Sequence, residues 1–342
     1  MQIVEAHNYA PHGAARSLAR GQSNNIGFMS WGNIADVLSS GYWSVLAHGI
    51  AESCTTHRYF LTLLPAASSN DSAWQGSLVS TMASGQFAGV VLSAQFDSDR
   101  SILMMKQMGI PMVCIGRKPA HADVPFVQPD NLGGAHMGTM HLLNLGHSRI
   151  ATITGPMNNI EAVERLNGYK LALGELGIGF DESLVAEGDF DEARGYAAAK
   201  ALLIKHPSAI FCANDLTAIG AMRAAKEAGL RVPHDISIMG FDDMPICELT
   251  NPSLTSVSQP IAEIGRSAID ILVKQIERSR QEKTGNGTNG IHGHANGNTP
   301  SMLFPTQLAL RQSTAQYKRA LHGRARSGNN LHSSTQRKER SR

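Results

Sequence analysis

Residues 209–221 read AIFCANDLTAIGA, and they join two kinds of local structure without a loop between them. The four residues Ala209–Cys212 form an apolar run of the length expected for a fully buried strand. Asn214 and Asp215 follow at the place where the strand gives way to a helix, which we predict over Asp215–Ala228. Because a buried strand followed at once by a helix is the repeating unit of parallel sheets, this stretch predicts an α/β fold.

The same alternation extends over most of the chain. The predicted strands are Ile26–Ser30, Tyr59–Leu64, Gly89–Leu92, Met112–Ile115, Arg149–Ile153, Ala209–Cys212, Asp235–Met239 and Thr255–Val257, with a last strand within Met302–Thr314. The predicted helices are Asp130–Leu145, Ile160–Leu176, Glu192–Lys205, Asp215–Ala228 and an amphipathic segment that includes Ile261, Ile264, Ala268, Ile271 and Leu272. Because the pattern occurs twice within 342 residues, we predict two similar lobes, each a parallel sheet covered by helices on both faces.

Composition indicates a globular protein with a sizeable core. Hydrophobic residues make up 42% of the chain and charged residues 17%, whereas aromatic residues reach only 6%. No apolar stretch approaches the roughly 20 residues of a membrane span, and the polar start of the sequence lacks a signal-peptide pattern. We therefore expect a cytoplasmic protein with no membrane partner.

Side chains that could support catalysis or hold a metal form no recognisable motif. The chain has four cysteines, which are far apart: Cys54, Cys114, Cys212 and Cys247. Most lie in or beside apolar runs, where we expect buried free thiols. His292 and His294 have no third ligand nearby, and the sequence contains no P-loop, no GxGxxG after a strand, no GxSxG and no HExxH. We predict a protein that is not an enzyme and needs no metal or cofactor.

Positive charge is concentrated at the carboxyl terminus. Residues 315–342 contain eight lysines and arginines and one acidic residue, so residues 1–314 carry about −5 although the whole chain carries +2. The body has no general excess of positive charge for DNA, and any DNA contact must come from a localised element. Residues 281–300 are rich in Gly, Asn, Thr and His, so we expect a flexible loop there and a disordered basic tail over 315–342.

Several motifs, in order along the chain, resemble those of the LacI/GalR family of transcription regulators. They are residues 145–151 and 165–168, then 210–221, 229–233, 238–243 and 252–260, and finally 305–314. The resemblance covers about residues 1–278 and 302–314. It implies a type I periplasmic-binding-protein fold, in which two Rossmann-like lobes enclose a ligand cleft. The implied N-terminal lobe comprises 24–146 and 259–280, and the implied C-terminal lobe comprises 147–258 and 301–314.

Residues 1–23 resemble the end of the family's DNA-binding headpiece and the hinge helix that follows it. Leu18 matches the side chain that wedges between minor-groove base steps, Ala15 allows close approach of a paired helix, and Arg16 could meet phosphates. The alternative, off DNA, is a frayed linker. The family's helix-turn-helix would precede residue 1, so we expect sequence-specific DNA binding by residues 1–342 alone to be impaired.

The resemblance places an effector site between the lobes, at the carboxyl ends of parallel strands. Its implied residues are Arg165, Asn214, Asp242 and Gln259 in the second lobe and Arg117, Tyr42 and Trp43 in the first. An arginine fork combined with carboxylate and amide groups suits the hydroxyls of a sugar. Without the resemblance, Arg165 could equally be a surface charge and Asp242 a turn residue, and core packing is the alternative for Tyr42 and Trp43.

The implied function is that of a ligand-responsive repressor. Such a protein binds operator DNA as a homodimer and responds to a small polar effector such as a sugar. Closure of the lobes on the effector would change the spacing of the paired hinge helices. Two alternatives remain, namely a periplasmic-type solute-binding protein, which shares the fold, and a stand-alone sensor that does not bind DNA.

Overall fold

Two six-stranded sheets organise the protein, as the alternation of strands and helices predicted. The structure is a computed structural model that describes residues 23–30, 41–65, 77, 80–93, 99–119, 124–283 and 301–317. The first sheet contains β1 (Asn25–Ser30), β2 (Phe60–Pro65), β3 (Gly89–Ser93), β4 (Met112–Ile115), β5 (Phe126–Pro129) and β11 (Met302–Phe304). The second contains β6 (Ile150–Thr154), β7 (Val185–Glu187), β8 (Ala209–Cys212), β9 (Ser237–Asp242), β10 (Thr255–Ser258) and β12 (Gln307–Ala309).

Helices cover both sheets. They are α1 (Gly41–Thr56), α2 (Asp99–Gln107), α3 (Asn131–Asn144), α4 (Ile160–Glu175), α5 (Glu192–Leu203), α6 (Asp215–Glu227), α7 (Ile246–Leu249) and α8 (Ile261–Lys283). The strand orders are β11-β5-β4-β3-β1-β2 and β12-β10-β9-β8-β6-β7. Strands pair in parallel throughout except β12, which is antiparallel to β10. The matching orders make the two lobes alike, and ligands of such doubly wound sheets bind outside the carboxyl ends of the strands.

Apolar side chains fill both faces of each sheet. In the second lobe, Phe211 and Phe241 on the sheet pack with buried residues of α3 and α4, whereas alanines of α5 and α6 cover the other face. In the first lobe, α1 and α8 cover one face. All four cysteines are buried free thiols, as predicted.

The boundary between the lobes lies near residue 130, and the predicted boundary at residue 146 is wrong. Helix α3 belongs to the second lobe because Ala135 and Leu142 are buried in the same cluster as Phe211. Gly168 of α4 explains how closely the two helices pack, since a Cβ there would overlap the carbonyl oxygen of Leu132.

Short parts of the two segments predicted to be flexible have a defined structure. Residues 281–283 continue α8 rather than starting a loop. Residues 315–317 are also tied down, because the Tyr317 amide donates to Leu145 O and the Ala315 amide donates to Ser237 Oγ. The other residues of the predicted loop and tail, 284–300 and 318–342, lie outside the described residues, as do the hinge residues Ala15, Arg16 and Leu18.

The predicted last strand is in fact two strands in different sheets. Strand β11 pairs with β5 in the first lobe, so residues 302–304 do not belong to the second lobe as predicted, and β12 pairs with β10 in the second. Pro305 and Thr306 cross between the lobes. Two further short crossings join β5 to α3 and β10 to α8, so three connections link the lobes within the described part of the chain.

Candidate functional site

Polar side chains converge at the carboxyl edge of the second sheet. Asn214 follows β8, Asp242 ends β9, and Gln259 follows β10. The carboxyl ends of parallel strands share one edge, and the three side chains are buried there, with exposures of 5–7%. Helix α4 brings Arg165 to the same place. The structure thus collects the four second-lobe residues that the sequence singled out.

Arg165 is the centre of this cluster and is only 4% exposed. Its Nε donates to Asn131 Oδ1 at 2.9 Å, and its Nη1 donates to the carbonyl oxygen of Ala213. Nη1 also lies 3.4 Å from Asp242 Oδ1, and the guanidinium carbon lies 3.8 Å from the centre of the Phe241 ring. The alternative that Arg165 is a surface charge is therefore wrong.

Asp242 is held in an unusual backbone conformation. Its φ is 107°, outside the range that most side chains prefer, and the φ of Asp243 is 59°. The Asp242 carboxylate accepts a hydrogen bond from Gln259 Nε2 at 2.6 Å. Burial raises the pKa of Asp242 to about 6, although Arg165 and Gln259 act in the opposite direction.

Asp215 fixes the turn that carries Asp242. This fully buried carboxylate accepts from the Met244 amide at 2.7 Å and from Ser256 Oγ. Gly240 of β9 makes room for it, because a Cβ at that position would overlap Asp215 Oδ1. Arg311 secures the outer side of the turn through Asp243 at 2.7 Å. Burial, followed by the charge of Asp242, raises the pKa of Asp215 to about 7.

The side-chain oxygen and nitrogen of Asn214 both form hydrogen bonds to other residues of the second lobe. Its Oδ1 caps α6 by accepting from the amide and the hydroxyl of Thr217, and its Nδ2 donates to Phe190 O at 3.0 Å. Phe190 in turn places its ring 5.7 Å from the Arg165 guanidinium carbon. Asn214 therefore positions the start of α6 and Phe190, which leaves one amide hydrogen for a ligand.

Tyr42 brings the first lobe to the cluster. Burial raises the pKa of its hydroxyl well above the ordinary value, and the next causes are the carboxylates of Glu161 and Asp242. Trp43 differs, since it packs on Phe28 at 6.1 Å and against the first-lobe core. Core packing is thus the interpretation that its contacts support. Arg117 follows β4 after one intervening residue, Gly116, at the carboxyl edge of the first sheet.

Three residues near Arg165 were not predicted from the sequence. Glu161, one helical turn before Arg165, is 9% exposed, and burial raises the pKa of its carboxyl to about 7. Asn159 caps α4 through its Oδ1, which accepts from the Glu161 amide at 2.7 Å. Phe190 lies beyond the short strand β7, which was also missed. A capping asparagine shortly after a predicted strand was the signal available for Asn159.

Two buried polar atoms in this region have no partner among the described residues. They are Oε1 of Gln259 and Nδ2 of Asn159, an acceptor and a donor. A cavity of about 320 Å³ adjoins Asp242 and Gln259, and Val45 of the first lobe also lines it. Gln259 lines this cavity, whereas Asn159 is not among its lining residues. Buried polar atoms are normally paired, so each of the two atoms is a position where a ligand would supply a missing hydrogen bond.

Within the described ranges, histidine, cysteine and acidic side chains form no group of three or more with the spacing of a metal site. The described helices also include none that is both long and apolar enough to cross a lipid bilayer.

Comparisons with known proteins agree on the class of molecule. The family of periplasmic binding protein-like domains matches residues 139–314. The HTH-type transcriptional regulator CelR of Thermobifida fusca is 32% identical over 279 residues, covering 80% of this chain and 81% of CelR. The ribose operon repressor of Escherichia coli (strain K12) is 31% identical over 276 residues, covering 80% and 82%. A solved complex of transcriptional regulator CelR with cellobiose has a TM-score of 0.74 and 28% identity, covering 91% of this chain and 88% of that one.

Proposed function

The chain belongs to the LacI/GalR family of transcription regulators, and we propose that it is a ligand-responsive repressor whose effector is a small polar compound such as a sugar. It is a regulator rather than an enzyme, in keeping with the relatives, whose names describe regulators of transcription. The name of one relative refers to ribose and the solved complex contains cellobiose, which supports a sugar as the class of effector.

One observation carries the effector site. Arg165 and Gln259 both bond the buried carboxylate of Asp242 at the carboxyl edge of the second sheet, and Gln259 Oε1 lacks a partner there among the described residues. Sugar hydroxyls both donate and accept, so they can pair with Gln259 Oε1 and Asn159 Nδ2 together. The ring of Phe190 offers an apolar surface to the carbon–hydrogen face of a sugar.

Coupling to DNA follows from the position of Tyr42. An effector that contacts Tyr42 on the first lobe and Arg165 on the second binds more tightly when the lobes approach each other. Such a ligand shifts the population of lobe arrangements by its difference in affinity between them. We propose that this shift alters operator binding by a homodimer through the hinge segment around Leu18, with Arg117 contributing to the first-lobe wall and Trp43 packing behind it in the core. The solute-binding alternative is disfavoured because both curated relatives are regulators of transcription.

A calorimetric titration tests this proposal with cellobiose, ribose and a panel of other mono- and disaccharides. We expect at least one sugar to bind and to raise the melting temperature, since a ligand that binds only the folded state stabilises it. Asp242→Asn should weaken that sugar at least tenfold, because a buried charge-assisted partner is lost.

The matched control is Arg149→Ala, because Arg149 lies half-exposed at the opposite end of the same sheet. Its affinity for the sugar should equal that of the unaltered protein, whereas Arg165→Ala should abolish binding. Equal affinities in the Arg149 and Arg165 variants would show that the site is elsewhere.

A further inference from the structure

The charges around Arg165 are unbalanced among the described residues. Asp242 already takes up the one positive charge, at 3.4 Å, and the remaining contacts of Arg165 go to Asn131 and to a carbonyl oxygen. A second acidic group, Glu161, lies on the same helix one turn away and is nine-tenths buried. The cluster therefore contains more negative charge than its arginine can compensate.

No described residue donates a hydrogen bond to the Glu161 carboxylate, whereas the Glu161 backbone amide donates to the Asn159 side chain. Glu161 lies four residues before Arg165 on α4, so the two side chains share one face of the helix, the face on which Arg165 meets Asp242. Burial and the neighbouring carboxylates of Asp242 and Glu164 raise its pKa to about 7. A carboxylate in this position gains most from a ligand that brings its own hydrogen-bond donors and positive charge.

Building on the proposed effector site, we propose that Glu161 makes the pocket selective for an amino sugar over the corresponding neutral sugar and against sugar phosphates. The ammonium group would donate to Glu161, and the ring hydroxyls would pair with Gln259 Oε1 and Asn159 Nδ2, the two atoms that lack partners. A phosphate ester would place a further negative charge beside Glu161 and Asp242, where Arg165 is already engaged.

The experiment compares matched ligands by calorimetry at pH 7. Glucose, galactose and mannose are each tested as the neutral sugar, as the 2-amino-2-deoxy sugar and as the 6-phosphate. We expect the amino form to bind about tenfold more tightly than its neutral parent for at least one of the three, as expected for one additional buried charge-assisted hydrogen bond. The phosphate of the same sugar should bind more weakly than the neutral form.

Glu161→Gln keeps the shape of the side chain and removes its charge. In this variant the ratio of amino to neutral affinity should fall close to one, because the charge that distinguishes the two ligands is gone. Glu175→Gln, at the exposed far end of the same helix, is the matched control and should retain the tenfold ratio. A purely structural role of Glu161 would change both affinities together and leave their ratio intact.

Three results would overturn the inference while leaving the effector site in place. They are equal binding of amino and neutral sugars, an unchanged ratio in Glu161→Gln, and tightest binding by a phosphate. If no sugar in this panel or the panel above binds at all, the proposed function fails and this inference fails with it.

Discussion

The two ends of the second sheet both bury polar side chains, but they treat them differently. At the amino end, His147 bonds Ser208 Oγ at 3.1 Å, Ser237 Oγ at 3.0 Å and Ala315 O at 3.1 Å. Ser313 donates to Ile238 O at 2.6 Å and accepts from the Thr255 amide. At the carboxyl end, Gln259 Oε1 and Asn159 Nδ2 remain unpaired.

The difference separates two uses of buried polarity. Any substitution within a buried network in which every atom is paired removes a hydrogen bond and lowers stability. The network at the amino end therefore serves to hold the segment through residue 317 in place. Unpaired buried atoms reduce the stability of the free protein, and they contribute to affinity when a ligand forms hydrogen bonds with them. We therefore expect changes at the amino end to affect folding and changes among the unpaired atoms to affect binding.

Asp215→Ala should give the largest loss of stability. It also tests the division between folding and binding effects, because the Asp215 carboxylate is fully hydrogen-bonded although it lies at the carboxyl end. The Met244 amide and Ser256 hydroxyl would lose a buried acceptor, which should lower the free energy of unfolding by about 3 kcal/mol. Because the turn that carries Asp242 would loosen, effector affinity should fall as well. Urea denaturation and calorimetry measure the two losses, and a variant as stable as the parent would mean that Asp215 does not fix the turn.

His147→Ala should cost about 2 kcal/mol of unfolding free energy, since the serine hydroxyls and Ala315 O lose their common partner. Effector affinity should stay within about twofold because the change lies at the opposite end of the strands. The same two measurements apply. A large loss of affinity without a loss of stability would contradict the division between the two ends.

Asn159→Ser isolates an unpaired atom. Serine caps a helix as well as asparagine, so the free energy of unfolding should change by no more than about 0.5 kcal/mol. The amide donor disappears, however, and the affinity for the effector should fall by roughly tenfold. Unchanged affinity would show that Nδ2 of Asn159 does not reach the ligand.

The smallest effect is an opposite dependence on pH at the two ends. Burial lowers the pKa of His147 below its usual 6.5, so the stability that neutral His147 contributes is present above pH 6.5 and is lost as the pH falls. Burial raises the pKa of Glu161 from 4.5 to about 7, so its contribution is present below pH 4.5 and is lost as the pH rises toward 7.

Denaturation curves between pH 5 and pH 8 test this opposition. The free energy of unfolding of the parent should exceed that of His147→Gln by less as the pH falls. The free energy of unfolding of Glu161→Gln should increase relative to that of the parent as the pH rises. Parallel curves for the parent and Glu161→Gln would mean that this carboxyl is not perturbed in the folded protein.

The sequence was a good guide where a local signal and a site residue coincide. Strand β8 and the cap at Asn214 could be predicted because a short apolar run stops at polar residues there, whereas the predicted strand Asp235–Met239 ended three residues before β9 does. Asp242 and Gln259 were assigned to the site by the family resemblance, because the predicted strands ended at Met239 and Val257. Arg165 depended on the family resemblance, since nothing in its own helix distinguishes it from a surface arginine.

Other features depend on tertiary contacts that no local pattern encodes. Glu161 is acidic in the first turn of a helix, which is typical of solvated positions, and its burial arises only from tertiary packing. Helix α3 has an apolar face that suits either lobe, so its membership could not be predicted. The run 302–314 resembles a single strand in the sequence. Its division into β11 and β12 is set by two different partner strands, which no local pattern shows.

The three connections between the lobes have a consequence for the integrity of the protein after cleavage. A protease cut anywhere between residues 284 and 300 would break the covalent link to the final segment only. The links from β5 to α3 and from β10 to α8 would still join the two lobes covalently. The released piece would stay seated through β11, β12 and the bonds around His147. Nicked protein should thus run as one particle on size exclusion under native conditions and as two bands after denaturation.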